Sequence, residues 1–208
     1  MKSYIDELDR NIFNFVEYEG YDDRYPSLSM QAFSSDFYDE IRHASRRLFQ
    51  IFCKAAKVFQ MAPDDFARNM DMPDNLIPYL HKSNALGLPT WLSRFDFVLD
   101  INGNLRMVEL NADTPCFLIE SYYANEIAAN YVGRKHPNTE CRKELHTFLK
   151  RMYDAVLSAK YGRNQYKSML ANRERLPKDP FVFSCFHDYF EDYGTTQFLM
   201  NELKTDCP

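Results

Sequence analysis

The chain has 208 residues, of which 45% are hydrophobic and 15% aromatic. It is therefore long enough to bury one substantial core, and we expect a single domain over residues 1–208. Its formal net charge of −5 disfavours a general role in binding nucleic acid or a membrane surface. The five cysteines lack the spacing of a zinc site or a disulfide framework, and the charged N-terminus is untypical of a signal peptide. These features favour a cytoplasmic protein.

Helical patterns dominate the first part of the chain. Residues 1–33 mix acidic and aromatic side chains and predict an irregular leader that packs through its rings. Apolar residues then recur at helical spacing from Ser35 or Asp36 to about Gln60, which predicts a long core-packing helix. A short helix is expected to begin at Pro63, where proline suits the first turn. Another is expected over about Asn75 to Lys82.

The second part alternates strand and helix patterns. A β-hairpin is predicted over about 91–111, followed by a helix from near Pro115 to Tyr131 and another from about Thr139 to Lys160. The apolar run Phe181–Phe186 favours a buried strand, and a last helix is expected from about Asp192 to Leu203. The chain is therefore predicted to be α/β, with a small mixed or antiparallel sheet covered by several helices.

The predicted hairpin carries a polar cluster whose geometry follows from its turn. If Asn102-Gly103 form a type I′ turn, Asp96 lies opposite Glu109 and Phe97 opposite Val108. Side chains alternate between the faces of a strand, so one face collects four polar groups: Arg94, Asp96, Glu109 and Asn111. The other face collects apolar groups and is predicted to be core: Phe95, Phe97, Val108 and Leu110.

Two directly opposed carboxylates destabilise a sheet unless a positive group neutralises them. Arg94 could neutralise Asp96 and Glu109, which would make the cluster a closed ion-pair network with a purely structural role. A divalent cation such as Mg²⁺ is the functional alternative, since Mg²⁺ prefers carboxylate and amide oxygens and also binds substrate phosphates. The residues alone favour neither interpretation over the other.

The cluster lies within a longer pattern, Ser93-Arg-Phe-Asp-Phe-Val98 followed by Val108-Glu-Leu-Asn-Ala-Asp-Thr-Pro-Cys116 and by Glu120. A second pattern, Phe190-Glu-Asp-Tyr-Gly-Thr-Thr-Gln-Phe-Leu199, follows later. Together they resemble the glutathionylspermidine synthase family, whose members carry an Arg-x-Asp strand, a Glu-x-Asn-Ala-Asp-Thr-Pro segment and a Glu-Asp-x-Gly-Thr-x-x-x-Leu segment. The match is specific because it combines several fixed residues in the expected order.

The resemblance implies an ATP-grasp ligase that joins a peptide carboxylate to a polyamine-like amine through an acyl-phosphate, with ATP and Mg²⁺ as cofactors. It implies three Mg²⁺ ligands that also face ATP: Asp96, Glu109 and Asn111. Arg94 would contact ATP and steady the transferred phosphate, as a catalytic residue. Four further residues would contact the peptide or the amine: Thr114, Cys116, Glu191 and Asp192.

The resemblance extends over nearly the whole chain but only over the first, pre-ATP-grasp half of a synthetase. In the family, the lysines that hold the ATP phosphates come from the later half, and the six glycines here form no phosphate-binding loop. We therefore expect the chain alone not to complete the reaction, and a separate ATP-grasp half is a candidate partner. The alternatives are a non-catalytic module that binds a peptide or polyamine, and an interaction scaffold.

Overall fold

The computed structural model describes residues 3–17, 25–85, 90, 92–113, 115–138, 141–172, 182–186 and 188–204. Contacts within the chain divide it into two compact units. Unit 1 comprises Met1–Met30 and Cys116–Pro208, and unit 2 comprises Gln31–Pro115. A compact unit is not by itself an independently folding domain, so the single domain stays a prediction.

Unit 2 begins with the helix α1, Ser35–Gln60, whose bounds are those predicted. Ser34 caps it, because its Oγ accepts a hydrogen bond from the backbone N–H of Phe37 at 3.2 Å. None of the 26 residues of α1 is fully buried, so the prediction of a core-packing helix is wrong in degree. Its inner face is half-buried, and Phe52 contacts Phe95 of the hairpin at 5.9 Å between ring centroids.

Two short helices follow α1. They are α2, Asp64–Asn69, which begins just after Pro63 as predicted, and α3, Ile77–Ala85. The side chain of His81 in α3 joins all three helices of this unit. Its Nδ1 lies 2.9 Å from the carbonyl oxygen of Gln60, and its Nε2 lies 2.9 Å from Oδ1 of Asp64. Only the imidazolium form has a proton on each nitrogen and can donate both bonds.

The His81 contacts predict that unit 2 loses stability as the pH rises. The hydrogen bond to Asp64, and then the one to Gln60, raise the pKa of His81 above its ordinary value of 6.5. A raised histidine pKa contributes stability that is fully present below the unfolded pKa and disappears as the pH rises through the folded pKa. The midpoint of urea unfolding should therefore fall above about pH 6.5.

The His81→Asn variant should show a flatter pH dependence than the wild type. His43→Asn, which alters an exposed histidine of α1, is the matched control and should keep the wild-type profile. An unchanged profile in His81→Asn would contradict the role given to these two hydrogen bonds.

The hairpin is formed by β1, Arg94–Leu99, and β2, Leu105–Asn111, paired antiparallel. Its turn is one residue longer than predicted. The backbone N–H of Gly103 donates to the carbonyl of Asp100, and the N–H of Asp100 donates to the carbonyl of Asn104, both at 2.9 Å. Gly103 has a φ of 80°, which a side chain would strain. The type I′ turn is thus wrong, and a three-residue loop replaces it.

A bulge in β2 then restores the predicted pairing of the polar residues. Phe97 pairs with Met107 rather than with Val108, whereas Asp96 pairs with Glu109. Val108 is the extra residue and is 61% exposed, so its assignment to the core is also wrong. Because the longer turn and the bulge each shift the register by one, their effects cancel beyond the bulge.

Unit 1 contains the most deeply buried residues of the described chain. Its N-terminal segment has a short 3₁₀ helix, Tyr4–Glu7, and places Phe13 and Val16 almost completely out of solvent. Phe13 contacts Phe15 at 4.6 Å and Tyr25 at 6.0 Å between ring centroids. The prediction that the leader packs through its rings is confirmed for these residues.

Helices form the rest of unit 1. Residues 118 and 119 are helical and lead into a π-helical turn, Glu120–Ala124, which continues as α4, Asn125–Tyr131. The next helices are α5, Cys141–Tyr161, and α6, Arg163–Ala171. The last is α7, Phe190–Lys204, which begins two residues before the predicted Asp192. Asp192 therefore lies in the first turn and is not the N-cap, as its sequence position suggested.

The predicted strand Phe181–Phe186 is wrong where the structure describes it. Residues 182–186 form neither strand nor helix, and Val182 is 75% exposed. Phe181 lies outside the described residues. The α/β class and the antiparallel hairpin are nevertheless confirmed. Among the described helices, none has both the length and the apolar character that crossing a membrane requires.

Candidate functional site

The polar face of the hairpin brings four predicted site residues together in unit 2. Arg94 lies opposite Asn111, and Asp96 lies opposite Glu109. The Arg94 guanidinium binds Asp96 through two hydrogen bonds, Nε to Oδ1 at 2.7 Å and Nη2 to Oδ2 at 3.0 Å. The same Nη2 also donates to Oε1 of Glu109 at 3.3 Å. One positive nitrogen therefore lies between two carboxylates.

This arrangement lowers the pKa of Asp96. The hydrogen bonds from Arg94 are the largest cause, and partial desolvation opposes them. Asp96 therefore stays ionised at neutral pH. The side chains of Asp96 and Glu109 are 40% and 54% exposed, so both carboxylates can be reached from solution. The ion pairs themselves are correspondingly weak, because water screens them.

The donor set suits Mg²⁺ in kind and in charge. Asp96 and Glu109 converge on a position that a cationic nitrogen already occupies, and Asn111 adds an amide oxygen at the same end of the hairpin. No group of three or more His, Cys, Asp and Glu side chains among the described residues could hold a metal ion. Because the predicted set has two carboxylates and one amide, it falls below that count. The residues fit a metal that shares its coordination with phosphate oxygens.

Asp100 supports this face of the hairpin, although the sequence argument did not single it out. Its carboxylate accepts hydrogen bonds from the backbone N–H groups of Asn102 and Asn104, at 2.9 and 2.8 Å, and from Nε of Arg106 at 3.0 Å. These bonds, led by the one from Asn104, lower the pKa of Asp100. The Asp-x-Asn-Gly-Asn pattern of the turn was the signal that could have identified it.

The predicted substrate residues belong to unit 1, apart from Thr114, which lies outside the described residues. Cys116 and Asp192 are in contact, and the Cys116 thiol donates to Oδ1 of Asp192 at 3.6 Å. Glu191 and Asp192 occupy the first turn of α7. The two segments that carry the family resemblance therefore meet within this unit.

Glu120 and Tyr25 add a feature that the sequence argument did not use as a site. The Tyr25 hydroxyl donates to Oε1 of Glu120 at 2.9 Å. Burial is the main cause that raises the pKa of Glu120, and the charge of Glu191 raises it further. A separation of 95 residues between Tyr25 and Glu120 conceals this contact from any local sequence pattern.

The comparison with known proteins gives one match. The family model described as the glutathionylspermidine synthase pre-ATP-grasp matches residues 4–205. No curated protein and no solved structure matches the chain. The match extends over both segments that carry the polar cluster and the Glu-Asp-x-Gly-Thr pattern. The chain therefore belongs to the glutathionylspermidine synthase family, within which it corresponds to the pre-ATP-grasp domain.

Proposed function

We propose that this chain is the metal- and substrate-binding part of an ATP-dependent ligase that joins a peptide carboxylate to an amine. The observation that carries the proposal is the convergence of Asp96 and Glu109 on a single nitrogen of Arg94. A structural ion pair needs one carboxylate for one guanidinium. Here two exposed carboxylates share one cation, which leaves an excess negative charge that a metal would balance.

Asp96, Glu109 and the amide oxygen of Asn111 would hold Mg²⁺, which when bound supplies positive charge to the transferring phosphoryl group. Arg94 has a different task in this proposal. Its planar guanidinium can donate two parallel hydrogen bonds to phosphate oxygens, and it is already oriented toward this position by Asp96. Such a fixed positive group stabilises the charge that develops as an acyl-phosphate forms.

The substrates are proposed to bind at the motif residues of unit 1. Glu191 and Asp192 supply negative charge that suits a cationic amine, and the Cys116 thiol already donates to Asp192. Thr114, in the neighbouring motif segment, would contact the peptide. The glutathionylspermidine in the family's description favours a peptide and a polyamine as the two reactants.

Calorimetry with Mg-ATP tests the metal and nucleotide part of this proposal. The Asp96→Asn variant removes one carboxylate charge without changing the size of the side chain, so the affinity for Mg-ATP should fall about tenfold or more. Arg94→Lys should weaken binding about threefold to tenfold, because Lys keeps the charge but loses the paired hydrogen bonds. Far-UV circular dichroism confirms that each variant folds.

Asp65→Asn is the matched control, since it removes the same charge from a highly exposed site of the same unit. It should bind Mg-ATP as the wild type does. If the wild type binds a polyamine or a peptide but not Mg-ATP, the proposed ligase role is wrong and a non-catalytic binding module replaces it.

A further inference from the structure

Glu120 occupies an unusual backbone position. It opens the π-helical turn Glu120–Ala124, and its carbonyl accepts the backbone N–H of Asn125. A π-turn widens a helix and redirects the side chains that it carries, and such turns are frequent at functional sites. The residue before this helical stretch, Phe117, has a φ of 72°, in the left-handed region that costs a non-glycine residue energy. The backbone around Glu120 is thus shaped at some expense.

The two oxygens of Glu120 have different surroundings. Oε1 accepts the hydrogen bond from Tyr25, whereas Oε2 is sealed from solvent and has no hydrogen-bond partner among the described residues. A buried acceptor without a partner costs about 1–3 kcal/mol. Two groups face this carboxylate, the Tyr25 hydroxyl from the N-terminal segment and the Glu191 carboxylate from α7. Two neighbouring carboxylates, one of them with an unsatisfied oxygen, favour a cation between or beside them.

We propose that Tyr25 and Glu120 are positioning residues for amine binding at Glu191. Tyr25 holds Glu120 against Glu191, so that a cationic amine is attracted by both carboxylates rather than by one. This inference rests on the proposed function and deepens it, since it adds two residues to the amine site and gives that site a defined response to pH.

The response to pH follows from the contacts of Glu120. Burial and the charge of Glu191 raise its pKa, and the Tyr25 hydrogen bond opposes them. An ionised Glu120 attracts a cation and a protonated one does not, so amine affinity should decline on the acid side as Glu120 takes up its proton. Removal of the Tyr25 hydroxyl raises the Glu120 pKa further, and this decline should then occur at a higher pH.

The test uses the full chain, with spermidine as the probe, and compares the wild type with Tyr25→Phe. The substitution removes one hydroxyl and keeps the ring that packs on Phe13 and Phe15. Carbon-13 NMR of the carboxyl groups should show a higher Glu120 pKa in the absence of spermidine. Calorimetry from pH 5 to 9 should show the acid limb of the affinity profile moved by the same amount, with a loss of about 2- to 10-fold near neutrality.

Two further variants make the result decisive. Glu120→Gln removes the charge and keeps a similar shape, so its affinity profile should lose the acid limb. Tyr4→Phe is the matched control, because Tyr4 is a buried tyrosine of the same segment whose hydroxyl donates to the Ser27 carbonyl at 2.9 Å. Its spermidine profile should equal that of the wild type.

The possible failures are distinguishable. A Glu120 pKa that rises in Tyr25→Phe while the spermidine profile stays in place overturns the positioning role and leaves the proposed function intact. A Glu120 pKa that does not rise overturns the contact itself. A wild type that binds no spermidine at any pH overturns the amine site of the proposed function, and the inference with it.

Discussion

Arg142→Met should lower the free energy of unfolding of unit 1 by about 2 kcal/mol, in a chain whose total stability is of the order of 10 kcal/mol. Arg142 of α5 donates to Glu202 of α7 through Nη2 at 2.8 Å, and Nε of the same group lies 3.4 Å from the other carboxylate oxygen. The Glu202 side chain is 8% exposed. The substitution therefore leaves a buried carboxylate without its main cation.

The size of the effect follows from the surroundings of the pair. Breaking a fully buried ion pair costs about 3–5 kcal/mol. Here the Arg142 side chain is 40% exposed, and His146 still contacts Glu202, with Nε2 2.6 Å from Oε2. Both facts reduce the cost, because water and the imidazole each compensate part of the lost interaction. Met is the chosen replacement because it keeps most of the apolar length of Arg.

Lys150→Met is the matched control for Arg142→Met. Lys150 also lies on α5 and pairs with Asp154 at 3.3 Å, but its side chain is 53% exposed. An exposed pair of this kind contributes at most about 0.5 kcal/mol. Urea unfolding followed by circular dichroism measures both variants. Equal losses in the two variants would show that burial of Glu202 does not govern the stability of this contact.

The polar pairs of the hairpin could be predicted from the sequence, although the turn that set their register was wrong. The alternation of polar and apolar residues identified the face that carries Arg94 and Asp96. What could not be predicted was the bulge, because Val108 fits the alternating pattern as well as a paired residue does. The closure of the turn by the Asp100 side chain explains the longer loop. Local patterns therefore gave the residues of the cluster, and side-chain hydrogen bonds determined the path between them.

Contacts between distant segments account for the other differences. The apolar run around Val182 has the composition of a strand, but no described strand pairs with it, and an apolar run alone does not create a sheet. The Tyr25–Glu120 hydrogen bond and the Arg142–Glu202 pair likewise join residues 95 and 60 positions apart. Periodicity describes one element at a time, so it predicts helices well and their polar contacts poorly.

Gly194→Ala is the second substitution for which we expect a large loss of stability. Gly194 is buried in α7, and a Cβ at this position would lie 2.7 Å from Oδ1 of Asn14 and 2.8 and 3.0 Å from two ring carbons of Phe15. The Phe15 ring is itself buried and cannot move aside. Such overpacking costs about 1–3 kcal/mol, whereas alanine gains about 1 kcal/mol of helix propensity over glycine. We expect a net loss of about 1–2 kcal/mol.

The control for Gly194→Ala is Asn201→Ala, at an exposed position of the same helix. This variant should be unchanged or more stable by about 0.5 kcal/mol, because only helix propensity changes. If Gly194→Ala gains stability as Asn201→Ala does, the close contact with Phe15 does not exist in solution.

A second background separates steric conflict from any other cause. Phe15→Leu should itself destabilise unit 1, since it shortens a buried aromatic side chain, but it should create room beside Gly194. In that background Gly194→Ala should cost less than in the wild type, which gives a coupling energy between the two positions. Gly194 belongs to the Glu-Asp-x-Gly-Thr segment, three residues after Glu191 on the same helix. The glycine therefore serves the motif by letting α7 approach the N-terminal segment, and a bulkier residue would displace the carboxylates proposed to bind the amine.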